Sequence, residues 1–509
     1  MNKIRNPIDT IIAKAKDFYI EDNYVEEKKC YEKIWTVYKD NITTLTKLLN
    51  FQISIERWEA ALTTGLLIRE IRNSTDIINN IALLNVKLKK FEESEKLYKE
   101  SLLIEENFTA YEGIGYINFL KEDFKEAKNY YNKAKNLQPQ SYAVFNQLGV
   151  IYRSLGDYKE AKRNFQKAIE INNSISTSFA NLINLEISYG APLEEILLLI
   201  EKNKEVLIEE EISKIKDTKL IKTYRLYHAY QQILYLESIK KINQYQEIYK
   251  KFFEEKILAE KIKNNSVNLE DSEIKIVSDI IRNGYSYKPK SNLDNYLNKN
   301  NNWNEIEDQY FNSSPSVVIV DNFLDSIALE EIRNYLLESS IWNETYYHSN
   351  YIGAFCGKGN YSTIHHGILI ELNKLLPNIL KELKFEQLWS FNYNNLNNKG
   401  IEAHADFAKV NINFWLTPDS FNKEKDQGGL KIYQTPAPAD WNFIDYNTRN
   451  ENMDKLLKNQ NNNYITIPYK FNRAVIFDSS LFHETQHLSF EDHYEARRIN
   501  STILFGNRY

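Results

Sequence analysis

Apolar and small residues recur at a fixed spacing in the first half of the chain. Tyr111, Gly115, Ala127, Tyr131 and Ala134 return 34 positions later as Phe145, Gly149, Ala161, Phe165 and Ala168, and Phe124 returns as Tyr158. Within each copy the apolar positions fall three or four apart, the period of a helix with one buried face. Weaker copies flank these two. One begins near Ile78 and continues through Phe91, Ser94, Tyr98 and Ser101, and another surrounds Trp58 and Ala61. A degenerate copy follows at Phe179, Leu182 and Gly190, and residues 18–34 supply an earlier second helix through Tyr24, Tyr31 and Ile34. About five helix pairs are expected over residues 1–191, because one pair cannot bury its own apolar face and a stack can.

From Pro192 the repeat fades while helical spacing persists, which predicts a helical extension over 192–287. The polar stretch 288–314 reads as a linker. The pattern changes again after Pro315. PSVVIVDNFL predicts a strand, DSIALEEIRNYLLESS a helix capped by Asp325 or Ser326, and His366 to about Leu383 a second helix. LWSFNYN, KVNINFWLT, GGLKIYQ, NYITIPY, RAVIFDS and RRINSTILFG are β-branched, aromatic or alternating segments set off by turn residues. Two helices followed by short strands predict a double-stranded β-helix, or jelly roll, over 315–509. The whole is an α + β multidomain chain.

Composition narrows the function classes. The net charge of -6 gives no general attraction to phosphate backbones, and residues 311–509 carry 18 Lys and Arg against 23 Asp and Glu. Nucleic acid is therefore disfavoured as a partner. Cys30 and Cys356 fall in different expected domains, so no disulfide framework is implied and a reducing, cytoplasmic setting fits. The opening residues lack the apolar core and cleavage site of a signal peptide. No apolar run approaches the roughly 20 residues a membrane span needs.

Candidate chemistry lies near the C-terminus, where His404-Ala405-Asp406 is followed by His483 and Arg498. Two imidazoles and a carboxylate can occupy one face of a metal ion and leave the other positions open. His404 and Asp406 are two apart, so on a strand their side chains leave the same side. Arg497 and Arg498 should point to opposite faces of the last strand, and strand register decides between them. Trp441 and Tyr446, in the long connection from Gln434 to Tyr464, are candidates for a substrate wall. His365, His366, His487 and His493 are taken as structural or surface residues.

Two resemblances follow from these residues. The stretch FNQLGVIYRSLGDYKEAKRNFQKAIEIN resembles the tetratricopeptide (TPR) consensus, which implies a groove that binds a peptide or protein. Asn118, Asn146 and Arg153 are candidates for its polar lining. Residues 315–509 resemble the Fe(II)/2-oxoglutarate-dependent dioxygenase superfamily, in particular its prolyl-hydroxylase-like branch. The resemblance rests on VVIVDNFLDSIALEEI, His404-x-Asp406, Gly428-Gly429-Leu430, PYKFNRAVIFDSSLFHE and Arg498-Ile499-Asn500-Ser501-Thr502. It implies iron held by His404, Asp406 and His483, and 2-oxoglutarate held at its far carboxylate by Arg498. Tyr393, Asn413 and Thr502 are implied as further polar contacts to the cosubstrate. Dioxygen would be the co-reactant, succinate and CO2 the coproducts, and ascorbate a candidate reductant. The expected activity is hydroxylation of a peptide or protein side chain recruited by the repeats. The alternatives are an AlkB-type nucleic-acid demethylase, a small-molecule tailoring oxygenase and a non-enzymatic TPR scaffold.

Overall fold

The computed structural model describes residues 7–243, 247–258, 266–345, 351–393, 400–461 and 463–508. The chain divides into two compact units. One comprises residues 1–172 with 216–221 and 260–269, and the other holds 173–215, 222–259 and 270–509.

The first unit is built from five antiparallel helix pairs: α1 (Pro7–Ile20) with α2 (Tyr24–Val37), α3 (Ile42–Ser54) with α4 (Trp58–Ile71), α5 (Thr75–Lys87) with α6 (Phe91–Ile104), α7 (Phe108–Leu120) with α8 (Phe124–Leu137), and α9 (Tyr142–Ser154) with α10 (Tyr158–Ile171). Local chemistry starts many of these helices. The side chains of Asn23, Asn41, Asn107, Asp123, Ser141 and Asp157 each accept a hydrogen bond from a backbone N–H in the first turn of the helix that follows. Within each pair the chain reverses through one residue of positive φ, at Asp22, Glu56, Lys89, Glu122 and Gly156. Only the last is glycine, which is why only that turn stands out in the sequence. Small residues then set the spacing: a side chain at Gly149 would place its Cβ 2.5 Å from the ring of Phe165.

In the second unit, α11 (Ser176–Ser188) falls where the degenerate repeat copy is expected, and the helical extension forms α12 (Leu193–Thr218), α13 (Thr223–Ser238), α14 (Glu247–Phe253) and α15 (Asp271–Arg282); two short paired strands, β1 (Leu220–Lys222) and β2 (Ser266–Asn268), fall mostly within the first unit. The stretch expected as a linker contains α16 (Trp303–Asn312), whose Trp303, Ile306 and Tyr310 are buried. Its run of asparagines conceals this one apolar stripe. The β-rich part follows in the order β3 (Val317–Val320), α17 (Ser326–Glu338), β4 (Glu344–Thr345), β5 (Tyr351–Phe355), α18 (Thr363–Leu375), α19 (Pro377–Leu380), β6 (Phe385–Tyr393), β7 (Ala408–Trp415), β8 (Leu430–Pro436), α20 (Phe443–Asn447), α21 (Glu451–Asn459), β9 (Tyr464–Ile467), β10 (Ala474–Asp478), β11 (Leu481–Thr485) and β12 (Arg498–Asn507). The single helix expected from His366 to Leu383 is broken by Pro377, which cannot continue the hydrogen-bond ladder of α18.

Seven strands form one antiparallel sheet in the order β3-β10-β7-β12-β6-β5-β4, and three form another in the order β11-β8-β9. Their facing sides share a core that includes Phe391, Trp415, Val475 and Phe477 from the first sheet and Leu430, Ile432, Ile467 and Leu481 from the second. Among the described residues neither sheet closes on itself, so the strands form two facing open sheets and not a closed barrel. An isolated bridge between His404 and His483 draws the two sheets together.

Truncating Phe165 to Ala should lower the stability of the helical repeats by about 3–5 kcal/mol, the range for emptying a buried aromatic site. Urea unfolding followed by helical circular dichroism measures this. A cost below about 1 kcal/mol would show that the α9/α10 interface is not packed as described.

Candidate metal centre

His404 lies on the bridge to β11, Asp406 two residues before β7, and His483 on β11 itself. The backbone N–H of His404 donates to the carbonyl of His483 at 3.1 Å, and that of His483 returns to His404 at 2.8 Å. The reciprocal pair fixes both histidines at one level of the two sheets. Asp406 is tied separately, its N–H donating to Ser479 at 3.1 Å.

The side chains converge. One ligand atom from each of His404, Asp406 and His483 lies within 4.8 Å of the others. His404 Nε2 is 3.7 Å from Asp406 Oδ1, and His483 Nε2 is 3.5 Å from Asp406 Oδ2. The Nδ1 atoms face backbone carbonyls, that of His404 at 2.8 Å from Glu402 and that of His483 at 3.0 Å from Leu481. A carbonyl oxygen only accepts, so Nδ1 carries the proton in each ring and both Nε2 lone pairs are free for a ligand. Burial, reinforced by the neighbouring His404, pushes the imidazole of His483 down to about 4. It is therefore neutral at physiological pH, as a metal ligand must be. Asn411, on the inward face of β7, donates to Asp406 Oδ2 at 2.7 Å and orients the carboxylate. This set suits a divalent cation and leaves part of its coordination sphere to other molecules.

A cavity of about 1050 Å³ opens in front of the three residues. Arg498, Asn500 and Thr502 alternate along β12 and line it together with Tyr393 and Asn413. Register decides between the two arginines. Arg498 is 1% exposed and faces the cavity, whereas Arg497 points to the opposite side of the strand, where it lies 3.0 Å from His228 Nδ1 and over the rings of Tyr227 and Tyr494. Arg498 donates through Nε to the carbonyl of Gly428 at 2.6 Å and through a terminal nitrogen to Asn500 Oδ1 at 2.8 Å. Its guanidinium lies 4.9 Å from the Tyr393 ring centroid. Among the described residues no carboxylate pairs with it, and burial pulls its basicity down. Asn413 Nδ2 donates to Thr502 at 2.7 Å, which leaves its buried carbonyl oxygen without a partner. The glycine pair supports this corner. Gly428 supplies the carbonyl for Arg498, and a Cβ on Gly429 would strike the carbonyl oxygen of Ile467 at 1.9 Å.

Other expected positions lie elsewhere. Tyr446 is fully buried beneath Arg508, and Trp441 packs on Phe482, so neither lines the cavity. Phe443 and Asn447–Arg449 supply that wall, because α20 turns its other face outward. His487 stands at the cavity rim, half-exposed beside Glu424 at 3.8 Å. His365 is buried against Ser362. In the repeats, Asn118 is spent on its own helix, donating to the carbonyl of Ile114. Asn411 was not singled out by its sequence, although the alternation in VNINFW places it on the same face as Asn413.

Tetratricopeptide repeat models match residues 75–108, 108–141 and 142–174. These are the three pairs α5/α6, α7/α8 and α9/α10. No curated protein matches the chain. Among solved structures, a thermophilic TPR protein from Thermus thermophilus is similar at 18% identity and a TM-score of 0.30, over 32% of this chain and 90% of that one. YrrB, described as a TPR protein with an unusual peptide-binding site, is similar at 18% identity and a TM-score of 0.26, over 35% and 91%. Human IFIT1 is similar at 17% identity and 0.30, over 36% and 46%. At these scores none bears on function.

Asp406→Ala and His483→Ala should each weaken binding of Co(II) by well over tenfold, and Asn411→Ala by about 10–100-fold, the usual loss when a group orienting a ligand is removed. Equilibrium dialysis with metal analysis measures all three. An Asn411 variant that binds as tightly as the parent would show that the carboxylate needs no such support.

Proposed function

We propose that the chain is an Fe(II)- and 2-oxoglutarate-dependent oxygenase that hydroxylates a peptide or protein side chain brought to it by the TPR repeats. The observation that carries this reading is the pairing, in one cavity, of a two-histidine, one-carboxylate set with a buried arginine that has no carboxylate of its own among the described residues. Both Nε2 lone pairs and Asp406 are available, so the residues present fit a divalent iron. Bound iron and 2-oxoglutarate would supply the oxidation, in which one atom of O2 enters a substrate C–H bond and the other enters succinate as CO2 leaves.

The chain's own residues would do the positioning. His404, Asp406 and His483 would hold the metal. Arg498 would meet the far carboxylate of the cosubstrate with a planar two-point contact, since guanidinium geometry matches carboxylate. Tyr393, Thr502 and the open carbonyl of Asn413 are the polar groups beside it. Phe355, Trp389 and Phe391 form an aromatic wall from β5 and β6, with Phe391 opposite Asn500 and Trp389 opposite Thr502. The excess of acidic residues in 311–509 weighs against a nucleic-acid substrate. No helix of the described residues is long and apolar enough to cross a membrane. A second reading, a scaffold without catalysis, draws on the repeat matches alone and makes no use of the metal set or of Arg498.

Succinate release tests the assignment. With Fe(II), O2 and ascorbate present, Arg498→Ala should raise the 2-oxoglutarate concentration for half-maximal succinate release by about tenfold or more, the effect of losing a charge-assisted contact of roughly 1.5–3 kcal/mol. Arg497→Ala should change it far less, because that guanidinium faces His228. The opposite ranking, or no 2-oxoglutarate turnover by the parent, would overturn the proposal.

A further inference from the structure

We infer that the helical repeats hold the basic side chain of a peptide, a lysine or an arginine, at the carboxylate of Glu112 on α7. The inference does not rest on the metal chemistry proposed above.

The site follows from four positions on one helix. Glu112 and Tyr116 are one turn apart and share a face of α7. At about 100° per residue, Gly113 and Gly115 fall on the two flanks of that strip. Both flanks are stripped to the backbone, and a tyrosine from a neighbouring helix occupies each. A Cβ at Gly113 would lie 2.2 Å from the ring of Tyr98 on α6, and one at Gly115 would lie 2.9 Å from the ring of Tyr131 on α8. Tyr116 packs against both of the apolar clusters that contain these rings. Tyr98 and Tyr131 are themselves buried at 2% and 1% exposure, so their rings wall the Glu112 strip on either side. Tyr131 is further fixed by Gln147, whose Nε2 lies 3.4 Å from the phenol oxygen.

Glu112 is half-buried among these groups and, among the described residues, makes neither a hydrogen bond nor an ion pair. Burial raises both phenols, and the charge of Glu112 adds to the rise. Burial alone raises the carboxyl of Glu112, with no basic group opposing the shift. A desolvated carboxylate without a cation is costly, and a ligand that supplies the cation relieves that cost. The two carboxylate oxygens of Glu112 accept hydrogen bonds, which suits the several N–H donors of an ammonium or guanidinium group. The Tyr116 ring adds a surface for cation–π contact. One carboxylate is too few for a metal ion of the calcium or magnesium type, so an organic cation is the ligand this chemistry selects.

The test uses the full chain and short, fluorescein-labelled random peptide pools that differ only in a central residue fixed as Lys, Arg or norleucine. Fluorescence polarisation should show the Lys or the Arg pool binding at least about tenfold more tightly than norleucine, the size expected for a charge-assisted contact. The preference should weaken with salt. Which of the two pools leads identifies the side chain. Glu112→Gln should abolish the preference without lowering the melting temperature, since it removes an uncompensated charge at constant shape. Norleucine binding as tightly as both basic pools, no binding by any pool, or a preference that survives in Glu112→Gln would overturn the inference. If Glu112→Gln does not fold, Glu112→Ala is read on the same three pools: loss of the preference supports the inference, and its survival overturns it.

Discussion

A guanidinium sealed from water, with no carboxylate beside it among the described residues, is the constraint around which the second unit is arranged. Transferring Arg498 from water into the space between two sheets is expensive, and protein interiors usually meet that cost with a paired acid. Here the immediate neighbours are neutral: the carbonyl of Gly428, the amide oxygen of Asn500, and the rings of Tyr393, Trp415 and Tyr469. They hold the group in place without neutralising it. The same cavity contains a carboxylate whose nearest partners are two imidazoles and an amide. A cation near Asp406 and an anion near Arg498 would complete both charges at once.

Much of the surrounding structure keeps these groups in register. The antiparallel pairing of β12 with β6 and β7 sets Arg498 opposite Tyr393 and Thr502 opposite Asn413. Gly429 lets the start of β8 approach the end of β9, which brings the carbonyl of Gly428 to the guanidinium. Asn472 clamps the far end of the larger sheet, donating to the carbonyl of Leu324 at 3.0 Å and accepting from its N–H at 2.9 Å. Arg473 beside it pairs with Asp321 at 2.6 Å. The asparagine and arginine before β10 thus act on the scaffold and not on the cavity.

The legible parts of the sequence were those with a period or a two-residue spacing. Helix pairs followed from recurring alanines, aromatics and Gly149, and the separation of Arg498 from Arg497 followed from strand alternation. What escaped had no local signature. Strand β11 carries His483 yet is only LFHET, too short for its alternation to register. Strand β5, YIGAF, is almost wholly buried and reads as a plain apolar run. Helix α16 hides among asparagines. Asn411 matters through Asp406, which is near in sequence but reached only by the turn before β7, and Glu112 through Tyr98 and Tyr131 on neighbouring helices, so composition gave no reason to single them out. Trp441 and Tyr446 were plausible as walls because they are large, but Tyr446 is held by Arg508, just after β12.

The central claim is that one cavity holds a divalent metal and a dicarboxylate side by side. Anaerobic visible spectroscopy addresses it directly. Adding 2-oxoglutarate to the Fe(II)-loaded chain should produce a charge-transfer absorption that saturates with the dicarboxylate, and the same titration with Asp406→Ala should stay flat. A parent chain that binds Fe(II) without developing the band, or that binds no iron at all, would contradict the account.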